Sequence, residues 1–278
     1  MGHRVHSDAM FGHCPRGLLR GTAIAGALLL GSLLTTPAAA FAASDDDPEP
    51  QSQGSPNSGG FSLGAPRGFF LVKGGVFVPR GNSDIYAFNE EQLTLDGNSF
   101  ISGLFGMDFG FTLAERVDLV FGFEYTSASP VSEFRDFVDE FDAPITQQTR
   151  LRTTPLTASV RFNLRERGRS VGSYAWIPNG AVPYVGGGVG MVWWQYEQFG
   201  DFVDFTDFTI FTDHFLTQGW APELHVFGGV DWSLSPRVAL NFEGRYGWAD
   251  GNLAPAFVGF DPIDLAGFRV TFGASFRF

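Results

Sequence analysis

The feature that most constrains this chain is a two-residue alternation of apolar with charged or small side chains, which recurs from Phe69 to Phe278. The last segment shows it most clearly, because every even-numbered residue from Phe268 to Phe278 is apolar, while Arg269 and Arg277 lie among the odd-numbered ones. Successive side chains of a β-strand point to opposite faces, so this period predicts strands rather than helices. No segment after residue 43 approaches the roughly 18 consecutive apolar residues of a transmembrane helix, which excludes a helical membrane span there.

Eight segments carry this signal or a Gly-rich version of it. The clear ones lie at about 101–113, 117–125, 156–164, 224–234, 238–248 and 268–278, and the Gly-rich ones at 69–79 and 182–196. The links alternate in length: those at 114–116 and 235–237 are short, that at 165–181 is longer, and those near 80–98, 127–148, 197–218 and 249–263 are long. We therefore predict an all-β domain over residues 69–278, an eight-stranded antiparallel up-and-down β-barrel with its long links at one end.

The chemistry of the two faces indicates what surrounds the barrel. A soluble barrel has an apolar interior and a polar exterior, whereas a transmembrane barrel that encloses polar groups has the reverse arrangement. Here one face is rich in Phe, Val, Leu and Trp, and the other carries charges that could not line a dry pocket unless they were paired. We predict a transmembrane barrel whose interior charges include Asp108, Glu124, Arg161, Glu223, Glu243, Arg245 and Arg269.

Two local expectations follow from the same pattern. Aromatic residues near strand ends predict interface girdles formed by Phe69, Phe70, Tyr125, Trp193, Trp194, Trp232 and Trp248. If the last hairpin turns symmetrically about residue 256, Glu243 faces Arg269 across the strands, and we expect that pair to be structural.

The first 42 residues have the pattern of a secretory signal peptide. A basic start with Arg4, Arg16 and Arg20 precedes an apolar run from Gly21 to Leu34, and a small-residue ending allows cleavage after Ala42. Translation could begin at Met1 or at Met10. Residues 43–68 are acidic, rich in Pro, Ser and Gly, and almost free of apolar residues, so we expect a disordered linker.

Composition excludes several classes of function. The formal net charge of −12 argues against a nucleic-acid partner, because phosphate binding needs clustered Lys and Arg. The single cysteine, Cys14, lies in the predicted signal peptide, so the mature chain has no disulfide and no thiolate chemistry. We expect no cofactor and no resident metal.

At this point the chain resembles the small bacterial outer-membrane β-barrel superfamily, which includes the OmpA, OmpX and OmpW types. The resemblance covers residues 69–278 and rests on the eight-strand pattern and on the closing Phe272, Phe276 and Phe278. It implies that the terminal Phe motif is the signal read by the barrel assembly machinery. It also implies periplasmic termini, extracellular long loops, contact with outer-membrane lipids and lipopolysaccharide, and a monomer.

Three classes of activity remain open on the sequence. The first is an envelope-structural or surface-binding barrel that acts through acidic loops. The second is a narrow channel or lateral path for small solutes, although eight strands enclose a space that side chains can fill. The third, which we disfavour, is an enzyme that modifies lipopolysaccharide, since the mature chain has only His214 and His225 and no His-x-Ser pair.

The segment at 199–215 is the sharpest candidate site. Phe recurs every third residue from 202 to 211, a spacing that fits neither strand nor helix, and carboxylates alternate with it. Oxygen ligands of this kind suit divalent cations, so a loop site would use Asp201, Asp204, Asp207 and Asp213. The alternative is a mobile acidic loop without a ligand, which we favour.

Overall fold

The computed structural model describes residues 64–171, 175–204, 207–254, 257 and 259–278; the predicted signal peptide and most of the predicted linker lie outside them. In chain order the elements are β1 (Gly68–Pro79), α1 (Asp84–Gln92), a 3-10 turn (Gly97–Phe100), β2 (Ser102–Ala114), β3 (Val117–Ala128), β4 (Val131–Val138), β5 (Pro144–Asn163), β6 (Gly168–Val171), β7 (Ala175–Pro178), β8 (Ala181–Val203), β9 (Ile210–Ser233), β10 (Val238–Gly251), β11 (Ile263–Asp264) and β12 (Gly267–Arg277).

Eight of the described strands close into one antiparallel ring, in the order β1, β2, β3, β5, β8, β9, β10 and β12. The ring closes where β12 pairs with β1, from Phe69 opposite Arg277 to Pro79 opposite Gly267. Each ring strand pairs with the next one along the chain, so the predicted up-and-down barrel is confirmed. We call the end that holds Gly68 and Arg277 the terminal end, and the opposite end, where β1 finishes, the loop end.

The outward side chains of the ring are apolar and exposed. Phe109, Val189 and Phe272 are 48%, 62% and 54% exposed, whereas the inward Asp108 and Thr271 are 2% and 3% exposed. This is the reverse of a soluble barrel, and an exposed apolar surface that encircles the whole ring indicates a lipid environment. Among the described residues, no helix is long and apolar enough to cross a membrane.

Two aromatic residues that we predicted to lie at the membrane interface point inward instead. Phe69 is 5% exposed and Trp194 is fully buried, because each belongs to the inward-facing set of its strand. Tyr125, Trp232 and Trp248 are outward and 41–42% exposed, as the girdle prediction requires.

The predicted long loops contain more regular structure than the sequence suggested. The stretch 199–215 is mostly strand, since β8 runs to Val203 and β9 begins at Ile210, so prediction of a loop there was wrong. The link at 127–148 contains β4, which pairs with β5, and the link at 80–98 contains α1. The longer turn at 165–181 forms the β6–β7 hairpin. Apolar–polar alternation is weak in these segments, so the sequence did not predict the strands and the helix that they contain.

Candidate functional site: a filled lumen and an acidic outer head

A layer of ion pairs fills the middle of the barrel. Lys73, on β1, lies with its Nζ 2.8 Å from a carboxylate oxygen of Asp108 and 2.8 Å from one of Glu124. Arg245 on β10 contacts Glu243 at 2.9 Å. These side chains are at most 5% exposed. We call this set the ion-pair layer; its members are Lys73, Asp108, Glu124, Glu223, Glu243, Arg245 and Arg269.

A second group of charges lies nearer the terminal end. Arg161 on β5 is ion-paired with Asp231 and lies 3.8 Å from the ring centroid of Tyr184. Arg167 contacts Asp118 at 3.1 Å. Six of the seven predicted interior charges thus belong to the ion-pair layer. The seventh, Arg161, belongs to the group near the terminal end.

The predicted pairing of Glu243 with Arg269 was wrong. In the β10–β12 register Glu243 lies opposite Thr271, and Arg245 lies opposite Arg269. The centre of the hairpin is therefore at residue 257, one position beyond the symmetric turn that we assumed, which slides the strands by two residues. Arg269 instead contacts Glu223 on β9 and lies 3.4 Å from Glu124 on β3.

Replacing Arg269 with Met should lower the thermal stability of the barrel. Glu223, whose side chain is 1% exposed, would lose its ion pair in an enclosed site. Hydrogen bonds to charged groups contribute about 1.5–3 kcal/mol each, so a loss of at least that size is expected. Heat-dependent gel migration of the folded barrel measures it, and an unchanged transition temperature would contradict a structural role for Arg269.

Above the ion-pair layer, an apolar plug closes the loop end of the lumen. Helix α1 contributes Ile85 and Tyr86, which pack with inward residues of the ring such as Trp194 and Tyr196. Asn89 of the helix donates a hydrogen bond of 2.8 Å to the hydroxyl of Tyr196. The core of this apolar plug is formed by Ile85, Tyr86, Leu93, Phe100, Trp194, Tyr196 and Ile263.

Sequence reasoning missed both the plug and the role of Lys73. On β1, both faces carry apolar residues and glycines, so alternation gave no sign that Lys73 points inward. The plug depends on a helix folded back over the barrel, which short-range periodicity does not report. A signal for Lys73 did exist, since it is the only lysine of the chain and lies in a predicted membrane strand, where a charge requires a partner.

The described residues of the ranges 80–101, 129–154, 195–217 and 249–266, which supply most of the plug and continue beyond it, are here called the outer head. They contain 17 Asp and Glu against 4 Arg, which gives a formal charge of 4 − 17 = −13. The β8–β9 hairpin is its most extended part, with continuous pairing from Ala181 opposite Trp232 to Val203 opposite Ile210. A transmembrane strand needs about 9–11 residues, so roughly half of this hairpin of 23-residue and 24-residue strands projects beyond the lipid.

The four carboxylates proposed for a loop site are not gathered at one point. Asp201 accepts a hydrogen bond from Thr212, and Asp213 accepts one from the amide of His214. The register places Asp201 opposite Thr212 and Asp213 opposite Gly200, so the two carboxylates leave opposite faces of the hairpin. Asp204 and Asp207 lie in the turn. Among the described residues, no cluster of three or more potential ligands could hold a metal ion.

The three-residue spacing of Phe has a different origin. Phe202 and Phe211 are cross-strand partners, with ring centroids 6.0 Å apart. Phe202 also contacts Phe215 at 5.0 Å in an edge-to-face arrangement. The outer two Phe residues of the series are thus placed symmetrically about the turn, and their paired rings stiffen the hairpin.

Of the two histidines that follow the predicted signal peptide, one lies inside the barrel and the other lies in the outer head. Nε2 of His225 lies 2.8 Å from Oγ of Ser159, a pair that the sequence did not reveal, but both residues are at most 3% exposed and enclosed in the lumen. A nucleophile and base need a substrate within reach. At the outer head, Nε2 of His214 lies 2.7 Å from Glu197, which also contacts Arg150. Partial burial alone would raise the pKa of Glu197, but the hydrogen bond to His214 and the charge of Arg150 hold it below its usual value.

The predicted assembly signal lies on the outside of the barrel. Phe272, Phe276 and Phe278 are 53–55% exposed along one outward row. The main chain of Phe278 is joined to the start of β1, since its oxygen accepts hydrogen bonds from the amides of Arg67 and Gly68. The row is therefore presented beside the seam at which the ring closes.

Comparison with known proteins gives structural similarities only. Neisserial surface protein A is 10% identical over 76% of this chain and 97% of its own, with a TM-score of 0.42. The outer membrane protein OprG from Pseudomonas aeruginosa is 16% identical over 78% and 98%, with a TM-score of 0.43. Ail, the attachment invasion locus protein of Yersinia pestis, is 14% identical over 76% and 99%, with a TM-score of 0.39. No protein-family model and no curated protein sequence matches the chain.

Proposed function

We propose that this chain is an integral barrel of the bacterial outer membrane that is closed to solutes and binds partners through its outer head. The observation that carries the proposal is the filling of the lumen at two successive levels. The ion-pair layer occupies the middle, and the apolar plug occupies the loop end. A solute would have to displace paired charges and a packed helix, so the barrel wall is a scaffold rather than a conduit.

The proposed orientation places the terminal end in the periplasm and the outer head outside the cell. The apolar wall contacts lipid and the acyl chains of lipopolysaccharide, while Phe272, Phe276 and Phe278 are the segment offered to the assembly machinery. The head combines a charge of −13 with exposed apolar side chains such as Phe141 and Phe208, which are 86% and 65% exposed. Its partner should therefore carry basic and apolar groups together.

The closed lumen predicts a silent protein in a planar bilayer. The purified barrel, shown to be folded by heat-modifiable migration on a gel, should give no discrete openings at either polarity. A matched control is a variant in which residues 84–92 are replaced by a short Gly-Ser link, because it removes α1 and leaves the ion-pair layer in place. Reproducible single-channel steps from the unaltered protein would overturn the closed-barrel proposal in favour of a narrow channel.

Trimming the hairpin tests the binding role separately. Removing residues 199–214 and joining Gln198 to Phe215 through a two-residue turn keeps the register, since these two residues are cross-strand partners. Cells that display the trimmed protein should bind amine-coated polystyrene beads several-fold less than cells with the full hairpin, with unchanged membrane permeability. Equal bead binding would remove the hairpin from the proposed surface, whereas altered permeability would indicate that it gates a path.

A further inference from the structure

The terminal end of the barrel carries a charge opposite to that of the outer head. Its described segments contain 7 Arg and 2 Glu, a side-chain charge of 7 − 2 = +5; they are 64–67, 114–116, 164–171, 175–180, 234–237 and 277–278. Five of these arginines line two adjoining cavities. We call the two cavities and their lining the basic mouth; its arginines are Arg67, Arg167, Arg169, Arg237 and Arg277.

The two cavities have volumes of about 400 and 850 Å³, and both are lined by Arg167 and Arg277. The five arginines come from separate parts of the fold, namely the residue before β1, the β5–β6 link, β6 itself, the β9–β10 turn and the end of β12. Two acidic side chains, Glu115 and Glu166, oppose them, so the lining has an excess of 5 − 2 = +3. A positive lining of this kind suits an anionic group.

Arg277 shows that the basic mouth has unused binding capacity. It is 7% exposed and lines both cavities. Its Nη1 donates to Ser233 at 2.8 Å, but its Nη2 has no hydrogen-bond partner among the described residues, and Oδ2 of Asp231 is 4.0 Å away. A buried guanidinium donor without an acceptor is costly. The exposed side chains of Arg67 and Arg169 also make no ion pair with any described residue, so further donors lie at the same space.

The arrangement of the arginines fits phosphate better than carboxylate. A carboxylate has two oxygens in one plane, and a single guanidinium group can satisfy both of them. A phosphate group directs its oxygens toward the corners of a tetrahedron, so it can accept hydrogen bonds from several guanidinium groups that approach from different sides. Arginine is the usual residue for recognising phosphate because its planar fork of donors pairs with two oxygens at once. Donors from separate elements of the fold therefore favour a phosphate ligand.

The larger cavity also lies where a lipid headgroup can reach it. Phe278, which lines this cavity, is 55% exposed and ends the outward apolar row that contains Phe272 and Phe276. The cavity thus joins the lipid-facing wall at the end of a transmembrane strand, which is the level of the headgroups. Free phosphate in the surrounding water presents the same oxygens, so two sources of one chemical group can supply the ligand.

We propose that the basic mouth is a phosphate-binding site. The oxygens of one phosphate group accept hydrogen bonds from Arg277 and from the exposed Arg67 and Arg169. Nη2 of Arg277 thereby gains the acceptor that the described residues do not supply. The phosphate belongs to a phospholipid headgroup or to free phosphate. The site is separate from the binding role of the outer head, because it lies at the opposite end of the barrel.

Trp176 provides a reporter for the test. It lines the smaller cavity, is 6% exposed, and has its ring centroid 6.0 Å from Cζ of Arg277. The other five tryptophans of the chain line neither cavity. The protein is labelled with 5-fluorotryptophan, and the fluorine resonance of Trp176 is identified as the one that W176F lacks. In maltoside micelles, which contain no phosphate, inorganic phosphate should shift this resonance to saturation, whereas acetate or NaCl at matched ionic strength should shift it little.

Matched variants separate binding at the site from the effect of charge in general. Arg165 and Arg169 are both exposed and make no ion pair with a described residue, but only Arg169 lines a cavity. R169Q should raise the phosphate concentration at half-saturation several-fold, and R67Q/R169Q should raise it about tenfold or more, because each change removes a charge-assisted donor. R165Q removes one charge from the same end and should leave the value unchanged. Heat-modifiable migration on a gel shows that each variant is folded.

A second titration identifies the source of the phosphate. In nanodiscs of phosphatidylcholine with one third phosphatidylglycerol, a headgroup in the site competes with free phosphate, so the half-saturating concentration should be several-fold higher than in micelles. An unchanged concentration would assign the site to free phosphate. The proposal is overturned if inorganic phosphate leaves the Trp176 resonance of the unaltered protein in place, if acetate shifts it equally, or if R165Q weakens the response as much as R169Q.

Discussion

Replacing Lys73 with Met is expected to lower the free energy of unfolding more than any other single change in the lumen. Asp108, 2% exposed, has Lys73 as its only ion-pair partner among the described residues, and Glu124 loses one of its three cations. Removing one partner of a buried pair costs about 3–5 kcal/mol, because an uncompensated charge remains inside. Urea titration of the barrel in lipid vesicles, followed by gel migration, measures the change.

The double variant K73M/D108L is the matched control. It removes both charges and fills the space with apolar atoms, and replacing a buried pair in this way is often neutral or stabilising. We therefore expect the double variant to recover most of the loss. If K73M unfolds at the same urea concentration as the unaltered barrel, or if the double variant is no better than the single one, the ion-pair layer does not depend on Lys73.

Gly75→Ala is expected to disrupt ring closure, whereas Gly74→Ala is not. A methyl group on Gly75 would overlap the carbonyl oxygen of Val270 and lie 2.8 Å from Cα of Thr271, both main-chain atoms of β12. The β1–β12 seam would have to widen, and overpacking of this kind costs about 1–3 kcal/mol or more. A methyl group on Gly74 points outward, with its nearest contact the carbonyl oxygen of Leu104 at 3.7 Å.

Gly74 and Gly75 are adjacent residues of β1, and each substitution adds one methyl group. G74A should fold like the unaltered chain, with an effect within about 0.5 kcal/mol, as for a surface substitution. G75A should fold slowly or incompletely, seen as a lasting unfolded band during refolding into vesicles. Equal folding yields for the two variants would show that the seam adapts, and would contradict the tight approach of β12 to β1 at this position.

Much of the barrel was predictable because in–out alternation is a local property. The strand from Phe268 onward has the same facing in sequence and structure, since apolar and charged residues alternate without interruption. The extensions of β8 and β9 were not predictable in this way. Above the lipid, each face of this hairpin contacts either water or other residues of the outer head. Phe202 is therefore buried while the neighbouring Asp201 is half-buried, and the sequence of this part of the strand shows no two-residue period.

The sequence predicted which charged residues point into the lumen, but not which residues they contact there. Alternation indicates that Arg269 points inward, and it does, at 2% exposure. Its contacts with Glu223 and Glu124 come from strands that are distant in sequence, and they depend on the curvature of a closed ring. The plug could not be predicted for a similar reason, because the sequence of α1 does not show that Ile85 and Tyr86 pack with Trp194.

The ion-pair layer has a consequence for how the barrel reaches one alignment of its strands. Sliding a strand by two residues leaves every side chain on its original face, so the lipid-facing wall tolerates several alignments equally well. The charges do not, because such a slip moves each one about 7 Å along its strand and separates it from its counter-charge. The buried charges therefore favour one strand register during assembly. Hydrophobicity determines which face of each strand meets the lipid, and the ion pairs determine which residues lie opposite each other on neighbouring strands.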